Sequence, residues 1–242
     1  MLRKTIGVIG ELLITFGVVA LLYVVYTLWF TNAVADANAN ALRDRFELLV
    51  DMQEHPENYA LRPAPAVPVE PEPEAEPTEP AKPSFTKVDP FGLVYIPRLE
   101  NDVWAEPLVS GVYYRALASG VGHYPTTEWP GEVGNFAIAG HRATNGEPFA
   151  YFEKLKTGDR VYVQTLDGWF EYELKLDKKI QEDEVWVLND VPAGTGFAPG
   201  SKLITLTTCD PRWNSYQRWV WWGELVATYP LDQIPDEVAE VG

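Results

Sequence analysis

The sequence predicts a mostly β domain, folded as a closed barrel or a sandwich, behind an apolar N-terminal segment long enough to cross a membrane. From about residue 91 onward, short runs of apolar and β-branched residues alternate with turns that contain Gly, Pro, Asn or Asp. Only one stretch of the same region has a convincing helical pattern. The third observation is the stretch from Thr5 to Phe30, which is almost wholly apolar.

The strand predictions cover most of the folded region. The clearest is Trp169–Leu176, where apolar residues alternate with Glu and Lys at the period of two that a half-buried strand requires. Gly223 interrupts the last apolar run and indicates a bulge. The predicted strands are Leu93–Ile96, Asn135–Ala139, Arg160–Gln164, Trp169–Leu176, Val185–Leu188, Leu203–Thr208 and Arg218–Tyr229.

The connections between these runs supply one hairpin turn and one helix. Leu166-Asp-Gly-Trp169 has the composition of a tight turn between two antiparallel strands. The helix is predicted over Glu147–Lys156, because Pro148 suits its first turn and Gly158 follows its end.

The N-terminal apolar segment is interpreted as a transmembrane anchor. About 20 residues of helix cross the hydrocarbon core of a bilayer, so Thr5–Phe30 is long enough. Arg3 and Lys4 precede it, and the positive-inside rule places them in the cytoplasm and the rest of the chain outside. The alternative is a cleaved signal peptide, for which Ala33-Val-Ala35 offers a cleavage site.

The residues between the anchor and the folded region form a stalk. Ala33–Met52 has a weak helical pattern and can continue the membrane helix. From Pro63 to Pro90 the chain is rich in Pro and Glu, which predicts an extended spacer of roughly 60 Å or a disordered join. The chain thus divides into a cytoplasmic tip and anchor (1–31), a stalk and linker (32–90), a folded domain (91–230) and a tail (231–242).

Composition excludes some functions. The formal net charge of −16 argues against a nucleic-acid-binding surface, which needs clustered Lys and Arg. The chain has 1 cysteine, so it has no internal disulfide. Cys209 is therefore a reactive thiol, an intermolecular link or a small buried residue.

Three predicted strand ends carry the groups needed for thiol-based acyl transfer. Cys209 follows the strand Leu203–Thr208, His141 follows Asn135–Ala139, and Arg218 begins the last strand. A thiolate is the nucleophile, an imidazole can protonate a leaving amine, and a guanidinium can stabilise an oxyanion. Taken singly, each residue also has a structural interpretation: a buried thiol, a structural histidine or a surface ion pair.

Two sequence motifs favour the catalytic interpretation of Cys209, His141 and Arg218 over the structural one. The segment Thr205-Leu-Thr-Thr-Cys-Asp-Pro-Arg-Trp-Asn-Ser-Tyr-Gln-Arg218 resembles the sortase signature, in which a Thr-Leu-x-Thr-Cys strand is followed by an arginine. Pro130–Arg142 resembles the histidine strand of the same family, and Gly120–Pro125 and Val94–Pro97 also match in family order. The resemblance covers about residues 93–226.

The resemblance implies an eight-stranded sortase-type β-barrel with one or two short helices and the activity of a cysteine transpeptidase. It implies that Cys209 is the nucleophile, His141 the acid/base and Arg218 the stabiliser of oxyanion and substrate. The motif contexts and the N-terminal anchor are most similar to class E sortases of high-GC Gram-positive bacteria. The partners implied are surface proteins with an LPXTG/LAXTG-like sorting signal, an amine of a lipid-linked peptidoglycan precursor, and the membrane.

Other residues are candidates for contact with the substrate, each beside a structural alternative. They are Thr208, Tyr124, His123, Trp213 and Tyr216, and Gln181–Gly200 is predicted to be the loop that reads the signal. We expect no cofactor and assign no metal ligand. The acidic run Glu182–Glu184 is compatible with a calcium site, but a solvated face is the commoner role of such a run.

The motifs also bear on several alternative functions. Asp89-Pro-Phe91 is similar to the lid motif of pilin-polymerising class C sortases, but it directly precedes the first strand and no second apolar span follows Tyr229, so a plain turn is favoured. An L,D-transpeptidase would carry a His beside Cys209, and papain-like enzymes place Cys before His. In a non-catalytic tethered binding domain, Cys209 would be inert.

Overall fold

Eight strands close into a barrel in the computed structural model, which describes residues 2–59, 88–101 and 103–241. Around the barrel the order is β1-β2-β3-β4-β7-β8-β6-β5. The strands are β1 (Pro90–Tyr95), β2 (Glu106–Ser110), β3 (Val121–His123), β4 (Gly134–Ala139), β5 (Arg160–Thr165), β6 (Gly168–Gln181), β7 (Lys202–Asp210) and β8 (Gln217–Tyr229). The mostly β fold predicted from the sequence is confirmed.

Strands β4, β7 and β8 form the wall that matters most for function. β4 and β7 are parallel, and β7 and β8 are antiparallel. Because side chains alternate along a strand, Ile204 and Leu206 of β7 point into the barrel core, and Thr205, Thr207 and Cys209 point outward. The outer surface of these three strands, here called the outer face, therefore carries the cysteine.

A connection between β6 and β7 covers one end of the outer face. The predicted strand Val185–Leu188 is wrong, since these residues form a 3-10 helix. Val187 packs against Val220 and Trp222, whereas Val185 is 71% exposed. The segment lies across the outer face and so does not pair with a strand edge.

The predicted helix Glu147–Lys156 is also wrong. Only Phe152–Lys154 is helical, as a single 3-10 turn. Glu147 has a positive φ of 40°, and the N–H of Phe149 donates to the backbone O of His141 instead of starting a helix. Burial of Phe149 and Phe152 in the barrel core outweighs the local helical signal.

The remaining differences lie in short elements. No strand was predicted at β2 or β3, which are brief and joined by the one-turn helix α4 (Tyr114–Leu117). The predicted hairpin turn joins β5 and β6, as expected. The predicted bulge is present, but its extra residue is Lys175 of β6, opposite Gly223 of β8.

The N-terminal helix is long and remains helical well beyond its apolar part. It comprises α1 (Leu2–Val25), a π-helical turn (Tyr26–Phe30) and α2 (Thr31–Glu54), after which α3 (Pro56–Tyr59) follows. Within the described residues, the helix over Thr5–Glu54 is the one whose length and composition could cross a membrane. This is compatible with a single-pass anchor.

Helix α2 packs along the side of the barrel. Phe46 is fully buried in a cluster with Leu93 and Trp169. Arg43 donates through Nε to the backbone O of Ala105 at 2.8 Å. Ala35, the last residue of the possible signal-peptide cleavage site, is also buried in the helix. The helix predicted over Ala33–Met52 is present as part of α2, and it is attached to the barrel.

This packing changes the interpretation of the Pro/Glu-rich linker, most of which lies outside the described residues. Arg45 of α2 forms an ion pair with Asp89, and Pro90 begins β1. The helix before the linker and the strand after it thus belong to one packed unit, so the two ends of the linker lie on the same unit. Phe91 packs edge-on against Trp129, with 4.8 Å between ring centroids.

A polar cavity between α2 and the barrel predicts a pH dependence of this packing. Glu106, Asp36, Glu147 and Arg43 line it. Burial raises the pKa of Glu106 to about 7, with Arg43 acting in the opposite direction and Asp36 in the same one. A carboxyl group whose pKa is raised on folding is stabilised as an acid, so stability falls as the pH rises from the unfolded pKa through 7.

We therefore expect Glu106 to lower the unfolding temperature of the chain in detergent at pH 8 relative to pH 6, whereas the lowered pKa values of the buried His123 and His141 act in the opposite direction. Glu106→Gln should remove much of this difference by raising the midpoint at pH 8. Thermal unfolding followed by circular dichroism checks this, with the exposed Glu240→Gln as control. An unchanged pH dependence in Glu106→Gln would contradict the assignment to Glu106.

Candidate active site

The thiol of Cys209 lies beside an arginine of the neighbouring strand. Cys209 and Arg218 are cross-strand partners in the β7–β8 ladder. Residues directly opposite each other in an antiparallel pair have Cβ atoms about 5 Å apart and point to the same side. Cys209 is half-buried and free. Its side chain is thus on the outer face and accessible from solvent.

His141 lies at the same level on the other side of Cys209. Ala139 of β4 and Thr207 of β7 are register partners, and the Thr208 hydroxyl donates to the backbone O of Gly140 at 2.8 Å. His141 lies two residues after Ala139, and Cys209 lies two residues after Thr207. The fold therefore brings His141, Cys209 and Arg218 together as a row across the ends of β4, β7 and β8, here called the three-strand row.

The environment of His141 favours a neutral ring with one free nitrogen. Burial lowers the pKa of His141. Its Nε2 is buried, and none of the described residues offers it a hydrogen-bond partner. Beneath it, a Cβ at Gly140 would lie 2.7 Å from the Phe149 ring, so glycine is needed there for this packing. His141 is therefore a base whose buried Nε2 has no hydrogen-bond partner among the described residues.

The guanidinium of Arg218 is oriented by the connection that precedes it. Nη1 donates to the backbone O atoms of Ser215 and Gln217, each at 2.9 Å. Nη2 is 3.4 Å from Oε2 of the exposed Glu182, which belongs to the β6–β7 connection. Nη1 is thus held by two backbone carbonyl groups, and the Nη2 contact to Glu182 is long.

Tyr124 borders the row on the β4 side. Its hydroxyl lies 2.9 Å from Oγ1 of Thr207, the outward-facing neighbour of Cys209 on β7. Burial raises the pKa of Tyr124, and its bond to Thr207 and the charge of Arg218 act against this rise. Among the predicted substrate contacts, Tyr124 is the one whose side chain bonds to an outward-facing residue of the cysteine strand.

Two of the predicted substrate contacts lie on the inner side of the barrel. His123 is 1% exposed; its Nε2 is 3.0 Å from the backbone O of Glu128, and its ring packs against Phe136. Thr208 is buried and bonds to Gly140. Both side chains point away from the outer face, so neither lines a groove that contains Cys209.

The other two predicted contacts are exposed in the β7–β8 connection. Trp213 and Tyr216 have 65% and 55% of their surface accessible. Trp213 stacks under the guanidinium of Arg212, 5.3 Å from its ring centroid. They stay at the rim of the row, without a packing partner that would hold them over Cys209 in the described part of the chain.

Comparison with known proteins identifies the family. A family model described as a sortase domain matches residues 94–226. Sortase SrtE2 of Streptomyces coelicolor is 31% identical over 240 residues, which is 95% of this chain and 85% of the relative. The chain belongs to the sortase family. Sortases are cysteine transpeptidases, and Cys209 is the only cysteine available for that chemistry.

The similarity to class E sortases predicted from the motifs is confirmed. Sortase SrtE1 of Streptomyces coelicolor is 35% identical over 230 residues, and the match spans 92% of this chain but 57% of that relative. Sortase E from Streptomyces avermitilis is a solved structure of 37% identity and TM-score 0.57, covering 62% of this chain and 96% of that one.

Sequence reasoning missed a buried ion network directly behind the row. Arg142 follows His141 and Asp210 follows Cys209, so both point inward. The guanidinium of Arg142 pairs with Asp210 and, through Nη2, with Glu153 at 3.0 Å. Lys179 adds a contact to Asp210 at 2.9 Å. The sequence contained a signal for this network. Arg142 directly follows His141 and Asp210 directly follows Cys209, so alternation of side chains places both on the side opposite to the candidate catalytic residues.

This network should hold the ends of β4 and β7 in register. Removing one partner of a buried ion pair leaves the other charge uncompensated, so Asp210→Ala should lower the free energy of unfolding by about 3–5 kcal/mol. Glu153→Ala removes a half-exposed partner of the same Arg142 and should cost less than about 1 kcal/mol. Urea unfolding of the two variants checks this, and equal losses would contradict it.

Proposed function

We propose that this sortase cleaves an LPXTG/LAXTG-like sorting signal between Thr and Gly and transfers the new acyl group to an amine of a lipid-linked peptidoglycan precursor. The observation that carries the proposal is the three-strand row on the outer face, where a half-buried thiol has an imidazole on one side and a guanidinium on the other.

In the first half-reaction Cys209 attacks the carbonyl carbon of the threonine. His141 takes the thiol proton and delivers it to the departing glycine amine, so the C–N bond breaks as the thioester forms. Arg218 donates to the oxyanion of the tetrahedral intermediate. The lowered pKa of His141 supports the role of proton acceptor, since the neutral ring is the form that accepts.

In the second half-reaction the acceptor amine attacks the thioester. His141 accepts a proton from the attacking amine and returns it to the sulfur of Cys209 as the C–S bond breaks. The new amide bond replaces the thioester, and the enzyme returns to its starting state. Tyr124 and Thr207 border the thiol and are suited to contact the signal peptide, because their hydroxyl groups lie on the outer face beside it.

The side of the membrane on which the barrel lies is inferred from the N-terminal segment. We place residues 1–31 as the cytoplasmic tip and anchor, with Arg3 and Lys4 inside, and the barrel outside. The helix over Thr5–Glu54 supports this with an apolar stretch of sufficient length. Surface proteins that bear the signal, and the peptidoglycan precursor, are then on the same side as the row.

The pilin-polymerising alternative receives no support from the Asp89-Pro-Phe91 motif. Asp89 pairs with Arg45, and Phe91 packs against Trp129 and the buried His123. Trp129 lies at the beginning of β4, at the opposite end from His141. The motif therefore cannot act as a lid over Cys209 in this arrangement.

A peptide-library assay tests the proposal. The full chain in detergent is incubated with peptides that vary the second and third signal positions, with and without hydroxylamine, which intercepts thioesters. We expect cleavage between Thr and Gly and a hydroxamate product when hydroxylamine is present. Failure to cleave any member, or cleavage at a different bond, would contradict the assignment and favour a non-catalytic binding domain or another peptidase.

A further inference from the structure

The helix that leaves the apolar segment sets the orientation of the barrel. At its first turn, Asn32 donates to Oε1 of Glu147 at 3.0 Å and accepts from the N–H of Gly146 at 3.2 Å. Near its end, Gln53 donates to the backbone O of Leu166 at 2.7 Å. Roughly 30 Å of helix separates these contacts. The helix thus runs along the full height of the barrel.

These contacts identify the end of the barrel next to the apolar segment. Gly146 and Glu147 belong to the connection that begins at His141 after β4. Leu166 belongs to the β5–β6 hairpin at the opposite end. The apolar helix ends at Phe30, two residues before Asn32. The three-strand row is therefore at the end of the barrel next to the apolar segment.

That end of the barrel exposes aromatic side chains together with basic ones. Tyr114 is 66% exposed and donates to Asn145, and its neighbour Arg115 is also exposed. A cavity of about 440 Å³ is lined by Tyr26 and Phe30 of the apolar helix together with Tyr114 and Arg115 of the barrel. The barrel surface is thus continuous with the last turn of the membrane segment.

A second group of residues links the cysteine strand to the same surface. Arg212 follows β7 and donates through Nη2 to Oε2 of Glu147 at 2.6 Å. Its guanidinium lies 5.3 Å from the ring centroid of Trp213 and 5.6 Å from that of Tyr151. The ammonium of Lys154 lies 3.9 Å from the Tyr151 ring. Glu147 thus bonds both to the start of α2 and to the Cys209 side of the row.

We propose that this end of the barrel is a membrane-docking surface that rests on the phospholipid headgroups. Trp213 and Tyr114 would lie at the headgroup level, where amphipathic aromatic rings are favoured, and Arg115 and Lys154 would bind lipid phosphates. The mouth of the three-strand row then opens at the bilayer surface. The proposal rests on the anchor and orientation given under the proposed function, but not on the peptide chemistry.

Depth measurements in vesicles test this surface without using activity. In full-length chain carrying Cys209→Ala, a bimane label is placed on Ser215→Cys in the β7–β8 connection, on Asp167→Cys in the β5–β6 hairpin, or on Leu28→Cys in the apolar helix. The protein is reconstituted in vesicles of phosphatidylcholine and phosphatidylglycerol, with phospholipids brominated near the headgroup as quenchers. We expect quenching at Ser215 to be several-fold stronger than at Asp167.

Equal quenching at Ser215 and Asp167, with Leu28 quenched, would overturn the docking surface and leave the anchor intact. Absence of quenching at Leu28 would overturn both the docking and the anchor, while the peptide-library result would stand. In a chain that also carries Trp213→Ser and Tyr114→Ser, the quenching at Ser215 should fall several-fold. Undiminished quenching there would refute the role of the two aromatic residues.

Discussion

Replacing Cys209 with alanine should abolish thioester formation and lower the rate of signal cleavage by at least about 10⁴-fold, because the sequence has no other thiol to replace the nucleophile. His141→Ala, which retains the thiol but removes the proton acceptor, should lower kcat/KM by about 10²–10⁴-fold. The measurement is cleavage of a fluorogenic signal peptide by the full chain in detergent.

The matched control is Thr207→Ser, which keeps the hydroxyl bonded to Tyr124 on the same strand and should retain most of the activity. Circular dichroism of all three variants separates loss of chemistry from loss of fold. Appreciable cleavage by Cys209→Ala would mean that another group performs the reaction, and the account would then fail at its first step.

Replacing Arg218 with glutamine has the second-largest expected effect. Loss of a donor aimed at the oxyanion typically costs about 10²–10³-fold in kcat, and Arg218 is the cross-strand partner of Cys209. The fall should be larger in kcat than in the affinity for the peptide, because the charge on the oxygen develops only in the transition state. Steady-state kinetics with the fluorogenic peptide measures both.

Two further variants test which property of Arg218 the reaction needs. Arg218→Lys keeps the charge but loses the planar fork held by Ser215 and Gln217, so its activity should lie between those of wild type and Arg218→Gln. Glu182→Gln removes the exposed partner of Arg218 and should change kcat/KM by less than about fivefold. If Arg218→Lys were fully active, a fixed fork would not be needed.

Short apolar and β-branched runs bounded by turn residues were the most informative signal in the sequence. The apolar run before Cys209 and the run after Arg218 define β7 and β8 nearly to their ends, and the run before His141 defines β4. Because each candidate residue lies at a strand end, the pairing of these strands suffices to gather them. The row could therefore be expected before the strand order was known.

Contacts between residues far apart in the chain determine the features that the sequence did not predict. Burial of Phe149 and Phe152 in the core removes the helix that the pattern after Glu147 favoured. The attachment of α2 depends on Phe46 entering a cluster made of residues far along the chain, which the helical pattern of α2 does not show on its own. The inward position of His123 likewise depends on the parallel pairing of β2 and β3, which neither segment shows on its own.

The most direct test of the central claim is the mass of the intact protein after brief incubation with a signal peptide and acid quenching. The account predicts that wild type gains the mass of the peptide fragment ending at Thr, that digestion maps this addition to Cys209, and that hydroxylamine removes it. An addition mapped to any other residue, or turnover of the peptide with no addition at Cys209 at any time, would contradict it.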